Sequence, residues 1–206
     1  MDDTLPTPLF DGESAQVRDD AIPQEMFQSL LQIVPHLRWT YGWTTEDKLA
    51  RYWHIGIVDG GKEGTQDQLG NLSRVKPAIF SEFLHWLRAR LPNPEASLLR
   101  YYLNGHTFGN DGAPHTDSER ERELTVVTYL TPDWSPVFGG ETVVLDQQDD
   151  IVAAAMPRAN RMMAFPAHWQ HGPRPLARYY MGLRVTLVAK FALDPEGLAA
   201  SGGSGS

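Results

Sequence analysis

The segment "PHTDSERERELTVVTYL", residues 114–130, places two polar side chains before a run of β-branched and aromatic residues. The run "ELTVVTYL" predicts a buried strand. Pro114 restricts its own backbone and favours an extended chain before it, and alternate side chains of an extended chain lie on one face. His115 and Asp117 would then converge. They are either a polar turn with a solvated histidine or two ligands of a metal ion.

Similar strand-like runs lie before and after this segment, and turn residues separate them. Their spacing predicts an all-β sandwich or barrel built from antiparallel hairpins. The runs are "SLLRYYL" (97–103), "GGETVVL" (139–145), "IVAAAM" (151–156), "RMMAFP" (161–166) and "YYMGLRVTLVAKF" (179–191).

The N-terminal half of the chain has a different character. Apolar residues at helical spacing predict amphipathic helices over 23–34 and 73–91, and "RYWHIGIV" (51–58) predicts a strand. Residues 1–20 are expected to be irregular. The glycine-rich stretch 59–71 predicts a mobile loop, which is either a plain surface loop or a lid over the barrel mouth. The predicted fold class is therefore mainly β, with two N-terminal helices flanking a β core.

Composition limits the classes of function. A chain of 206 residues with 41% hydrophobic residues suits one globular domain. A formal net charge of −8 argues against nucleic acid or an anionic membrane as the main partner. The lack of cysteine excludes disulfides, thiolate metal sites and cysteine nucleophiles, so any metal must be bound by His, Asp or Glu. The acidic start "MDDTLPTPLF" has no apolar signal-peptide core and no apolar run could span a membrane, so we expect a cytoplasmic protein.

A metal site at His115 and Asp117 needs a third ligand, and "FPAHWQHGPRP" (165–175) offers His168 and His171. Two histidines and one carboxylate on one face of a metal leave the opposite positions open, as in non-haem Fe(II) oxygenases. Arg184 interrupts the apolar run "MGLRVTLVAKF". A buried guanidinium is costly unless a carboxylate pairs with it, and that carboxylate could belong to a ligand such as a 2-oxo diacid.

Taken in order, "RYYLNG…PHTD", "LTVVTYLTPDW…FGGETVVL", "RMMAFPAHWQHGPRP" and "LRVTLVAKF" resemble the 2-oxoglutarate/Fe(II)-dependent dioxygenases, particularly the prolyl-4-hydroxylase-like group. An H-x-D motif recurs by chance, but the ordered set H-x-D, Y-L-x-x-D-W, G-G-E, H-G and R-x-T is specific. The resemblance covers residues 98–192 and implies a double-stranded β-helix, a jelly-roll (cupin-like) barrel. We expect a single dioxygenase domain over 1–197, with support from 1–97 and a barrel core at 98–192, and a linker or tag remnant at 198–206.

The resemblance also implies roles for individual residues. Arg184 stands thirteen positions after His171, a longer spacing than in close prolyl hydroxylase relatives, so Arg178 is the alternative clamp. The implied catalytic iron ligands are His115, Asp117 and His171, and the implied 2-oxoglutarate-binding residues are Arg184, Tyr129, Thr186 and Tyr102.

The function implied by the resemblance is that of an oxygenase with Fe(II), 2-oxoglutarate and O₂ as cofactors. It would hydroxylate an aliphatic C–H bond of a small molecule or a peptidyl residue and release succinate and CO₂. In the related halogenases a small residue replaces the carboxylate ligand, so Asp117 favours oxygenation, while desaturation or cyclisation stays open. The alternatives are a metal-dependent jelly-roll isomerase or hydrolase and a non-catalytic jelly-roll binding module.

Overall fold

The computed structural model describes residues 6–44, 51–59, 68–75, 77–110 and 112–194. With 37% strand and 17% helix the protein is mainly β, which confirms the predicted class. The helices are α1 (Gln24–Ile33) and α2 (Ile79–Arg88). The strands are β1 (Gln16–Arg18), β2 (Thr40–Thr44), β3 (Arg51–Asp59), β4 (Ser97–His106), β5 (Glu123–Tyr129), β6 (Thr142–Leu145), β7 (Ile151–Ala155), β8 (Met162–Pro166), β9 (His171–Pro173) and β10 (Arg184–Ala192).

Two antiparallel sheets form the body of the protein. A seven-stranded sheet has the order β1-β8-β5-β10-β4-β3-β2, and a three-stranded sheet has the order β7-β6-β9. One face of the large sheet packs against both helices in an apolar cluster that includes Leu84, Leu87 and Leu187. The other face meets the small sheet across a second apolar cluster that includes Val127 and Val144. The two sheets therefore enclose a barrel interior, as in a jelly roll.

Strand β10 lies at the centre of the large sheet, between β4 and β5. Its odd-numbered residues, such as Leu187, pack towards the helices, whereas Val188 faces the barrel. By the period of two, Arg184, Thr186 and Lys190 also face the barrel. Arg184 and Lys190 are separated by roughly 20 Å of strand. The interior thus has an Arg184 end and a Lys190 end.

The observed elements differ from the predicted ones where local patterns were weak. The second helix begins at Ile79, after Pro77, because a proline is tolerated only in a helix's first turn, and a 3₁₀ segment (Leu69–Arg74) precedes it. Strand β1 was expected to be irregular, and its three residues are too few to show periodicity. Strand β2 was missed because Gly42, at φ 111°, breaks its register against β3.

Some predictions fall on residues that the structure does not describe. Residues 60–67 of the glycine-rich stretch lie outside the described residues, and so does the 195–206 segment. The lid, the domain limits and the linker therefore stay predictions. Within the described ranges, the helices are too short or too polar to pass through a membrane.

Candidate active site

A reciprocal backbone pair brings two histidines together at the mouth of the small sheet. The His115 amide donates to the His171 carbonyl at 3.0 Å, and the His171 amide donates back at 2.9 Å. Residues that exchange both hydrogen bonds have side chains on the same face, and the two ring centroids are 4.6 Å apart. The Asp117 amide donates to the Ala167 carbonyl at 2.8 Å, which turns Asp117 towards the same place.

Each imidazole is oriented by its own backbone. His115 Nδ1 lies 3.0 Å from the Ala113 carbonyl oxygen, and His171 Nδ1 lies 3.0 Å from that of Trp169. Because a carbonyl oxygen only accepts hydrogen bonds, each Nδ1 carries the proton and each Nε2 keeps a lone pair. The two Nε2 atoms lie 3.7 Å and 3.4 Å from the Asp117 carboxylate.

The Asp117 carboxylate is held by two further side chains. Thr125 Oγ1 donates to Oδ2 at 2.6 Å, and Lys190 Nζ donates to Oδ1 at 2.5 Å. Burial alone would raise the pKa of Asp117, but the charge of Lys190 and the nearby His171 hold it well below its usual value. Burial, together with His171, lowers the pKa of His115. Neutral pH therefore leaves an ionised carboxylate beside a neutral His115 imidazole.

This donor set fits a divalent metal ion. One ligand atom from each of His115, Asp117 and His171 lies within 4.8 Å of the other two, and no other such group occurs in the described ranges. Two imidazole nitrogens and one carboxylate oxygen form the facial set that suits non-haem Fe(II). A carboxylate oxygen has lone pairs in excess of the single hydrogen bond that it accepts here, so Lys190 and Thr125 do not exhaust Asp117.

At the other end of the barrel lies a buried arginine. Arg184 is 2% exposed, and its Nη2 donates to Thr142 Oγ1 at 2.9 Å. Its Nε has no hydrogen-bond partner, and no carboxylate of the described chain forms an ion pair with it. Burial lowers the pKa of Arg184, and such a group calls for an anionic partner. A ligand carboxylate would supply that partner.

Two other predicted cosubstrate residues surround Arg184. The Arg184 guanidinium carbon lies 5.5 Å from the centroid of the fully buried Tyr129 ring. Thr186 is the cross-strand neighbour of Tyr129 and shares the barrel face with Arg184. Tyr102 lies nearer the other end, with Lys190 Nζ 5.7 Å from its ring centroid. Tyr102 thus stands between the arginine and the histidines.

The structure separates the predicted residues from their alternatives. Arg178 is exposed in a turn, away from the barrel interior. The residues that lengthen the His171–Arg184 spacing pair with the segment before β6, since the Ala177 amide donates to the Phe138 carbonyl at 2.9 Å. His168 lies in the turn before β9 and is not part of the metal-binding group.

Sequence reasoning missed three residues that hold the site, namely Lys190, Thr125 and Thr142. Lys190 has a detectable signal, because it is a charged residue in an apolar strand and has the same parity as Arg184 and Thr186. The two threonines have no such signal. They are identified only by the strand register that places them beside Asp117 and Arg184.

Comparison with known proteins agrees with this geometry. Residues 96–189 match the family model of the 2OG-Fe(II) oxygenase superfamily. No curated protein matches the chain in sequence. Among solved structures, a Pseudomonas putida prolyl-4-hydroxylase is 15% identical with a TM-score of 0.60, and the match covers 87% of this chain and 93% of that one.

Two further solved structures share the fold. A Trichoplax adhaerens prolyl hydroxylase, in complex with a hypoxia inducible factor peptide fragment, is 14% identical with a TM-score of 0.59, covering 94% of this chain and 88% of that one. HygX from Streptomyces hygroscopicus, with nickel and 2-oxoglutarate bound, is 13% identical with a TM-score of 0.59. The match covers 89% of this chain and 84% of that one. At such identities the likeness shows the fold. The family match covers residues 96–189 and identifies this part of the chain as a 2OG-Fe(II) oxygenase domain, of a family that uses Fe(II), 2-oxoglutarate and O₂.

Proposed function

We propose that this oxygenase hydroxylates an aliphatic C–H bond of a small molecule or peptidyl residue and converts 2-oxoglutarate to succinate and CO₂. The observation that carries the proposal is one barrel with a His-Asp-His group at one end and, at the other, a buried arginine that pairs with no carboxylate of the described residues. Fe(II) and 2-oxoglutarate, when bound, supply O₂ activation and the electrons for it. The substrate class follows neighbours of the same fold, one in complex with a peptide and one with hygromycin B bound.

In this proposal His115, Asp117 and His171 hold Fe(II). The two Nδ1–H···O=C hydrogen bonds keep the Nε2 lone pairs directed at one point, and Lys190 with Thr125 keeps Asp117 ionised and fixed. Hydrogen bonds of this kind, made to the side chains that bind a metal, usually orient those side chains and tune their affinity for the metal.

Arg184 binds the distal carboxylate of 2-oxoglutarate in the same proposal. Thr142 already receives one guanidinium N–H, which orients the remaining N–H groups. Tyr129 and Thr186 line this end, and Tyr102 lines the wall towards the metal ligands. Val127, Val188 and Met163 form an apolar wall of the interior, which excludes water from the reacting groups.

Asp117 also bears on the outcome of the reaction. A carboxylate at this position fills the place that chloride takes in related halogenases, so the proposed product is an alcohol. With ¹⁸O₂, mass spectrometry should find one labelled oxygen in the product for each 2-oxoglutarate converted to succinate. An unlabelled or chlorinated product would contradict hydroxylation and leave the metal and cosubstrate assignments standing.

A matched pair of histidine variants tests the metal assignment. Anaerobic addition of Fe(II) and 2-oxoglutarate to the wild-type protein should produce a weak visible charge-transfer band. His171→Ala should abolish both the band and substrate-dependent succinate formation, whereas His168→Ala, three residues away, should retain both. An active His171→Ala would contradict the assignment. Tight metal binding without the band would favour an isomerase or hydrolase, and no metal binding would favour a binding module.

A further inference from the structure

His106 lies beside Arg184 at the Arg184 end of the barrel. It is the last residue of β4 and is the direct cross-strand neighbour of Arg184, the first residue of β10. Neighbours of this kind project to the same face of a sheet. His106 is 5% exposed, and its ring stacks on that of Tyr52 with the centroids 4.8 Å apart. The imidazole therefore lines the pocket end that Arg184 occupies.

Two buried nitrogens at this end lack partners. His106 Nδ1 and Arg184 Nε both have no hydrogen-bond partner among the described residues. Burying such a group without a hydrogen bond is unfavourable, and buried polar atoms in folded proteins nearly always have a partner. A single ligand that accepts hydrogen bonds from both nitrogens would satisfy them together.

The charge of His106 decides which ligand chemistry fits. Burial, together with the charge of Arg184, lowers the pKa of His106 to about 3. The ring is therefore neutral in the physiological range, with one N–H donor and one acceptor nitrogen. A neutral imidazole beside the Arg184 guanidinium can donate a hydrogen bond to the same carboxylate that the guanidinium binds. It does so without adding a second positive charge to the buried site. A carboxylate accepts several hydrogen bonds and suits this arrangement.

We propose that His106 is a further cosubstrate-binding residue, whose Nδ1–H donates to the distal carboxylate of 2-oxoglutarate beside Arg184. This inference rests on the proposed function, which assigns that carboxylate to Arg184. It adds a residue from β4 to the Arg184 end of the pocket, where the other residues lie on β5, β6 and β10. It makes the pocket select for a ligand with an anionic group at this end.

The test measures binding rather than turnover. Mn(II)-loaded protein is titrated anaerobically in a calorimeter with 2-oxoglutarate and with 2-oxopentanoate, which has a methyl group in place of the distal carboxylate. His106→Phe keeps an aromatic ring on Tyr52 and removes the donor. It should weaken 2-oxoglutarate binding about 10- to 100-fold, as expected for a hydrogen bond to a charged group. Binding of 2-oxopentanoate and of Mn(II) should not change.

Two conservative variants separate a hydrogen bond from a packing role. His106→Asn places an amide N–H near the position of Nδ1 and should recover most of the affinity, whereas His106→Gln reaches the position of Nε2 and should not. If His106→Phe does not fold, the comparison of His106→Asn with His106→Gln still tests whether Nδ1–H donates to the carboxylate. Wild-type affinity in both His106→Phe and His106→Gln, or equal losses for both ligands, would overturn the proposal.

The same titrations distinguish this inference from the proposed function. If Arg184→Gln loses 2-oxoglutarate while the His106 variants bind it normally, only the role of His106 fails. If the Mn(II)-loaded wild-type protein does not bind 2-oxoglutarate, or if Arg184→Gln binds it normally, the cosubstrate assignment fails and the role of His106 fails with it.

Discussion

Asp117 shows how one residue depends on a distant partner. Its side chain is 5% exposed, and the Lys190 ammonium that neutralises it is 73 positions away in the sequence. Taking a carboxylate out of water is unfavourable unless an opposite charge and hydrogen bonds replace the solvent. Lys190 supplies the charge, and Thr125 supplies a second hydrogen bond.

Lys190→Met should therefore destabilise the protein strongly. Removing one member of a buried ion pair costs roughly 3–5 kcal/mol of the free energy of unfolding, because the other charge is left uncompensated. Urea denaturation in the presence of a chelator measures this change. Lys190→Arg retains a cation and should lose less. Thr125→Val removes only one hydrogen bond and should also lose less than Lys190→Met. Equal stabilities of Lys190→Met and the wild type would show that Asp117 does not need this partner.

Segments 138–141 and 174–177 pair with each other and pack beside the Arg184 side chain. The Gly140 amide donates to the Pro175 carbonyl at 3.2 Å, and Gly139 bridges Leu176. Gly140 has φ 72°, and a Cβ there would come within 2.5 Å of Leu176 and 3.3 Å of the Arg184 side chain. Both the backbone and the close packing require glycine at this position.

Gly140→Ala should therefore weaken 2-oxoglutarate binding as well as stability. The added methyl group displaces Leu176 and the aliphatic part of Arg184. Gly109→Ala is the matched control, since Gly109 has φ 81° but no neighbouring atom within 4 Å of the position that a Cβ would take. The control should lose only about 1–2 kcal/mol from its left-handed backbone and keep its cosubstrate affinity. Thermal denaturation and calorimetric titration measure the two effects, and equal cosubstrate affinities in both variants would contradict the packing argument.

The stability of the whole molecule should depend on His106 through pH. The folded-state pKa of about 3 lies below the ordinary histidine value of 6.5, so between these values the unfolded chain binds a proton that the folded chain does not. Stability contributed by the neutral ring is present above the unfolded pKa and is lost as pH falls towards the folded pKa, by about 1.4 kcal/mol per pH unit for one proton. Urea denaturation from about pH 6.5 down to about pH 5 should show a slope that is shallower in His106→Phe. An unchanged slope would mean that His106 is not buried in its neutral form.

Much of the barrel and part of the site could be predicted from the amino-acid sequence alone. All six strand-like runs from Ser97 onward contain observed strands, because β-branched and aromatic residues in short runs pack well on the pleated, half-buried surface of a sheet. The H-x-D spacing brings His115 and Asp117 together, since this property depends on only three residues. The buried position of Arg184 also followed, because its neighbours along the strand are almost all apolar and carry the guanidinium into the interior with them.

The contacts between residues that are distant in the sequence could not be predicted and follow from the folded structure. The short strand β9 carries His171 to His115, and the register of β10 sets Lys190 against Asp117 and His106 against Arg184. Register is a property of pairs of strands, and a shift by one residue would turn every one of these side chains to the opposite face. It is fixed by the packing of both faces of the large sheet, against the helices and against the small sheet, which no single segment of the sequence contains.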